Sequence, residues 1–283
     1  MNKIFHALST AGYLAAGPVV RSLPLAWVFL LGRAAGLAAF RIAGDRRWIA
    51  EENIGRALGA APREARRIAK SSFANLFANL AAMLKTQSMR PEKLLERLTF
   101  AIPVGSFGGG GCVIAACHSG NWELLGQLAR FFPDVKFGAI YQRLANPEID
   151  QRVRAARERW GLRLFDRAGD IWEAVAFLEA GGALGVLCDQ HAGTGGTELP
   201  FFGRQVSTTT LPGLLAGRAR VPVLPVSVST TGIARWHIRA GTAIKAGTPA
   251  EAALATNRAL EESIRANPAD WLWAHDRWKG AGA

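Results

Sequence analysis

Tyrosine, methionine and cysteine are scarce in this chain, with 2, 3 and 3 copies among 283 residues. The cysteines, Cys112, Cys117 and Cys188, each lie in or at the end of an apolar run. That placement excludes a disulfide-framed secreted scaffold and fits reduced, buried thiols. Acidic residues are also short, 22 against 34 Lys and Arg, which leaves a net charge of +12. Such a surplus favours an anionic partner: a phospholipid surface, a phosphorylated substrate, an acidic protein or nucleic acid. No nucleic-acid-binding motif or basic–aromatic stripe accompanies it, so no nucleic-acid partner is expected. A G-x-S-x-G elbow is missing, and the glycines at 108–111 precede an apolar run where a dinucleotide fingerprint would follow one. Serine-hydrolase and dinucleotide-binding functions are therefore not expected.

What is present is a large apolar fraction, 49% of residues, enough to bury the core of one large domain with an appended segment. Residues 23–40, LPLAWVFLLGRAAGLAAF, approach the length of a bilayer span, with Arg33 in the middle. Lys3 and Arg21 precede this stretch, and Arg41, Arg46 and Arg47 follow it. An interfacial helix, a single span and an ordinary buried helix all remain open, with membrane contact favoured. The boundary is expected near 47, giving an N-terminal membrane-associated helix at 1–47 and the main body at 48–283. A second helix follows, with Ile68, Phe73, Leu76, Phe77, Leu80 and Leu84 on one face and a basic cluster near its start. It either packs on its own domain or lies against anionic headgroups.

From residue 108 short apolar runs alternate with helical patterns, the signature of an α/β fold. Strands are expected at 112–117, 137–141, 183–189 and 221–228, the last with prolines that suggest a sheet edge or an irregular end. Helices are expected at 121–132, within 145–161 after an entering loop, at 170–182, and from the Thr248–Glu251 capping box to a stop before Asn267.

The most informative junction is CVIAACHSGNWELLG. A strand ends at Cys117, His118 follows, and Glu123 falls in the first turn of the next helix. A tight turn there can bring imidazole and carboxylate together, and the first amides of the helix offer anion stabilisation. A histidine held by a carboxylate is a general base for an attacking hydroxyl. Cys117, His118, Cys188 and His191 are ligand-type residues, but their spacing fits no common zinc site, so no metal is expected.

HSGNWE resembles the H-x4-D/E motif of the glycerolipid and glycolipid acyltransferases, and VPVLPV at 221–226 resembles the V-P-x-x-P-V block that follows it there. Most of the chain is similar to the late acyltransferases of lipid A biosynthesis. The resemblance is carried by Asn146-Pro147 with Asp150 and Arg157, by LCDQ, PFFG and STTT at 207–210, and by Asn-Pro-x-x-W-x-W-x-H-x-R-W-K from Asn267. The turn HSGNW is closer to that of the actinobacterial mannoside acyltransferases. The resemblance implies a mixed central sheet flanked by helices. It also implies transfer of a fatty acyl group from an acyl carrier protein or acyl-CoA thioester to a hydroxyl of a membrane glycolipid, at the cytoplasmic face of the bacterial inner membrane, without a further cofactor. A lipid A precursor is the first acceptor; a phosphatidylinositol-mannoside-like glycolipid, a lysophospholipid and a non-catalytic lipid-binding role are the alternatives. By the same carry-over His118 is the base and Glu123 orients it. Arg143, Arg157 and Arg204 face phosphate or sugar groups, which arginine binds through a planar fork. Asp189 meets a sugar hydroxyl. Trp271, Trp273 and Trp278 either anchor at headgroups or pack the sheet edge.

Overall fold

A computed structural model describes residues 17–280 apart from 104, 108 and 246; Lys3 lies outside the described residues. The first third is helical: α1 (Leu25–Ile42), α2 (Gly44–Leu58), α3 (Pro62–Thr86) and the short α4 (Pro91–Leu95). The proposed boundary at 47 falls inside α2. α1 is the one described helix long and apolar enough to cross a membrane, by length and composition. Its inner face, Leu25, Val28, Phe29, Gly32, Gly36 and Phe40, recurs at three- and four-residue steps and is buried.

Close approach explains how α1 sits on α3. A Cβ on Gly32 would meet the Phe77 carbonyl oxygen at 2.7 Å, and one on Gly36 would meet that of Phe73 at 2.3 Å. Only hydrogen fits between the two backbones there. Arg33, the residue that makes this segment costly as a lipid-exposed span, turns towards the protein and donates to Asn75 Oδ1 at 2.7 Å. α3 in turn contributes to two cores, with Ile68, Ala69 and Phe73 in one and Ala78 and Ala82 in the other. It packs on its own domain, and its basic residues Arg66 and Arg67 pair with Glu51 and Glu64 on the surface.

The remaining chain forms the α/β body. In order it contains β1 (Leu98–Ala101), β2 (Cys112–Ala116), a 3-10 segment (Trp122–Arg130), β3 (Phe137–Tyr141), α5 (Pro147–Glu158), β4 (Arg163–Asp166), α6 (Ile171–Glu179) and β5 (Ala183–Leu187). The hairpin strands β6 (Thr197–Phe201) and β7 (Arg204–Thr208) follow, then α7 (Leu211–Ala219), β8 (Val223–Gly232), β9 (Arg235–Ala240) and α8 (Pro249–Ala266). The main sheet has the order β1-β9-β8-β2-β5-β3-β4. It is parallel from β8 to β4, while β9 runs antiparallel to β8 and parallel to β1. β2 and β5 lie at the centre, which is why CVIAA is buried at every position rather than alternately.

Two expectations change. The 221–228 run is not an edge, because β8 lies between β9 and β2. Of its two prolines Pro222 precedes β8, and Pro225 lies just before the first β9 pair, Val226↔Ala240, where its carbonyl still accepts from Gly241 N–H at 2.8 Å. The helix after His118 is wound as a 3-10 helix, an uncommon form over nine residues. The Thr248–Glu251 capping box is present at the start of α8.

Candidate active site

β2 and β5 pair in parallel with Ala116 opposite Leu187, and the ladder continues with Cys188 N–H donating to the Ala116 carbonyl at 3.0 Å. The next residue on each strand is therefore brought to the same place at the carboxyl edge of the sheet: His118 from one, Asp189 from the other. His118 Nδ1 lies 2.7 Å from Asp189 Oδ1, and the His118 backbone N–H donates to Oδ2 at 2.9 Å. Trp271 Nε1 donates to the same Oδ2 at 2.8 Å.

Asp189 is 2% exposed. An unpaired carboxylate there costs several kcal/mol, whereas hydrogen bonds to a charged group contribute about 1.5–3 kcal/mol each. Three donors offset the burial. Although burial pushes its pKa upward, the His118 charge and hydrogen bonds, with the Trp271 indole, hold Asp189 down at about 2. The ionised carboxylate can only accept, so the neutral imidazole carries its proton on Nδ1 and leaves Nε2 as a free base. Burial lowers the His118 pKa, but the Asp189 charge and hydrogen bond, with a smaller push from Glu123, more than reverse it and raise the ring above its ordinary value.

The carboxylate that holds His118 is thus Asp189 and not the expected Glu123. Glu123 is clasped by Arg157, with Nε donating to Oε2 at 3.0 Å and Nη2 to Oε1 at 2.5 Å. Asp189, expected to meet a sugar hydroxyl, has both oxygens engaged inside the protein. The β2–β5 register accounts for Asp189 lying under the imidazole, while Glu123 faces Arg157 on α5.

The turn between them is set by Gly120, at φ +55°, where a Cβ would meet the Val228 carbonyl oxygen at 2.6 Å. Gly120 N–H donates to the Asp270 carbonyl at 3.1 Å. The 3-10 ladder starts with Leu124 N–H on the Asn121 carbonyl, so the amides of Trp122 and Glu123 precede it. The Trp122 ring packs edge-on against His118 at 5.2 Å between centroids.

Behind Trp122 an apolar slot of about 100 Å³ runs along the sheet, with Glu123 and Arg157 in its lining. Its floor is in register across three strands, Ile114 on β2 opposite Gly185 on β5 and Gly185 opposite Ala139 on β3, with Gly185 and Ala139 leaving it open. Leu125, Gly126 and Leu162 close the other side. Cys117 and Cys188 point the opposite way, into the core beneath the pair, and burial pushes the Cys117 thiol far above its ordinary pKa. Among the described residues no three His, Cys, Asp or Glu side chains gather as a metal-ligating group.

The other arginines are more dispersed. Arg157 is mostly buried at the slot, while Arg143 is exposed and pairs with Asp166 at 2.6 Å. Arg204 lies over the Trp278 ring and lines an open groove with His191 and Lys279, outside the slot. Trp271, Trp273 and Trp278 are buried at 2%, 0% and 5% exposure, so they pack the protein and do not reach headgroups.

The sequence model of the bacterial lipid A biosynthesis acyltransferases matches residues 3–280. The chain belongs to that family. No curated protein matches it. Membership makes this family member an acyltransferase acting on a lipid.

No signal within the H-x4-E motif marks Asp189 or Trp271 as partners of His118. A parallel signal did exist: CVIAAC-His and ALGVLC-Asp are two apolar runs that end alike, in cysteine and then a titratable residue.

Replacing Asp189 by Asn should remove the two larger influences that raise the His118 pKa and leave burial, which lowers it, against only the smaller push from Glu123. The His118 pKa should then fall below its ordinary value near 6.5. A 15N-histidine NMR titration checks this, and an unchanged value would contradict the pairing.

Proposed function

We propose that this protein transfers a fatty acyl chain from an acyl carrier protein or acyl-CoA thioester to a hydroxyl of a membrane glycolipid, a lipid A precursor first. The observation that carries the reading is a buried His118–Asp189 pair, with Nε2 free, beside an apolar slot in a member of a lipid-acylating family. The acceptor hydroxyl attacks the thioester carbonyl while His118 Nε2 takes its proton. The tetrahedral oxyanion is held by the amides of Trp122 and Glu123. As it collapses, the ester stays on the acceptor and the leaving thiolate recovers the proton from His118. Asp189 stabilises the intervening imidazolium. Glu123, tied to Arg157, adds a second negative field and shapes the slot mouth. No acyl-enzyme is needed, and Cys117 is unsuited to form one, being buried on the other face of its strand. No cofactor beyond the thioester donor takes part.

In this reading the acyl chain lies in the slot, whose small floor residues leave it room. The positive surface suits an acidic carrier protein and anionic phospholipid alike. The protein works at the cytoplasmic face of the bacterial inner membrane, with α1 lying in the interface. α1 exposes an apolar stripe of Trp27, Leu30, Leu31 and Ile42, flanked by Trp48 of α2. Its other face is committed to α3 through Gly32, Gly36 and Arg33, which favours a surface helix over a free span.

Purified protein offered carrier-bound and coenzyme A thioesters, with lipid A precursors, other glycolipids and lysophospholipids, should yield a new acyl ester by mass spectrometry. His118→Ala should cut the rate roughly a hundredfold or more. Absence of product on every acceptor would favour a lipid-binding role instead. Gly185→Val should fill the slot and discriminate by roughly tenfold or more against the longest chain the parent accepts, since one methylene in an apolar pocket has about that effect. An unaltered product distribution would remove the acyl chain from the slot. Trp27→Asp with Leu31→Asp should weaken binding to anionic phospholipid vesicles at least about tenfold, given 1.5–3 kcal/mol per buried large apolar side chain. Undiminished vesicle binding would exclude α1 as the docking face.

A further inference from the structure

The segment 267–278 does more than close the fold. Its backbone meets the catalytic turn directly: Ser119 and Trp271 form an antiparallel bridge, and the Asp270 carbonyl accepts from Gly120 N–H. Its side chains are pinned from several elements. The Asp270 carboxylate, 8% exposed, accepts from Thr230 N–H at 2.6 Å on β8 and from Asn75 Nδ2 at 2.9 Å on α3. The Trp271 carbonyl accepts from Ser72 Oγ at 2.6 Å. Trp273 packs edge-on against the Trp271 indole at 4.6 Å, and Phe201 and Trp278 hold it from other sides at 5.8 Å and 6.1 Å. The indole therefore has one orientation, and in it Nε1–H points at Asp189 Oδ2.

That oxygen already accepts from the His118 backbone N–H. Two donors on Oδ2 leave Oδ1 as the acceptor for His118 Nδ1–H, so the carboxylate cannot turn without breaking a bond to a buried charge. We infer that Trp271 is a positioning residue of the active site: its indole N–H locks the Asp189 carboxylate and thereby selects the Nδ1–H tautomer of His118. This rests on the acyl-transfer reading for its kinetic consequence, but not for the tautomer itself. Glu123, His275 and Arg277 also carry or acquire charge near the pair. Because none of them changes with residue 271, a change in the tautomer isolates the indole.

The test uses the full chain with β-(3-benzothienyl)alanine at 271, which keeps the shape of tryptophan and replaces N–H by sulfur, beside Trp271→Phe. 15N-histidine NMR, with His118→Gln for assignment among the five histidines, should show one neutral tautomer, Nδ1–H, in the parent. The benzothienyl protein should show a mixture, with thermal stability close to the parent. Its kcat should fall tenfold to a hundredfold, the range set by losing one hydrogen bond to a charge, with KM little changed. A single Nδ1–H tautomer retained in the benzothienyl protein would overturn the inference. So would a defect confined to Trp271→Phe and accompanied by lower thermal stability, since packing alone would then explain it. If the parent transfers no acyl group, the proposed function fails while the tautomer measurement still decides the role of Trp271.

Discussion

A carboxylate buried at the end of a central strand has to be satisfied from within the protein, and much of this architecture meets that demand. Asp189 sits where two parallel strands end side by side, so one of its donors is the backbone of the neighbouring strand and another the side chain that follows it. The third comes from far along the chain, from a tryptophan wedged among aromatic rings. Without them the buried group would be driven towards protonation. With all three it stays ionised and fixes the imidazole proton on Nδ1, the nitrogen that faces it, leaving Nε2 bare.

The histidine–aspartate pair and the slot are physically separate. His118 lies at the carboxyl edge of the sheet, whereas the slot lies along its face, where Ala116, Ala139 and Gly185 leave room that larger residues would fill. Glu123 and Arg157 stand between the two and are bonded to each other rather than to His118. Open α/β sheets commonly bind ligands at such carboxyl edges. Here the same edge borders the helices that carry an exposed apolar stripe.

How much of this is legible in the sequence depends on whether the relevant contact is local. His118, the strand before it, the capping box of α8 and the alternation of strands and helices follow from short-range patterns. The partner of His118 does not, because β2 and β5 are joined by register, and register between non-adjacent parallel strands leaves no mark on either segment alone. Glu123 is five residues from His118, but its partner Arg157 is 34 residues further on, a contact the H-x4-E spacing does not reveal. Arg33 is ambiguous for the same reason: its cost in an apolar helix is visible, but Asn75, which receives it, is 42 residues away. The tryptophans near the end allow two readings until their burial is known.

The position of β5 also has a consequence for how the site comes into being. β2 and β3 are consecutive in the chain but not neighbours in the sheet, because β5 lies between them. A nascent pairing of β2 with β3 would occupy the edge that β5 must take, so it has to be avoided or undone before Asp189 can reach His118. The His118–Asp189 pair is then made of contacts far apart in sequence, of the kind that are slow to form. A chain with native-like helices but a misordered sheet would keep its α1–α3 contact and have no active site at all.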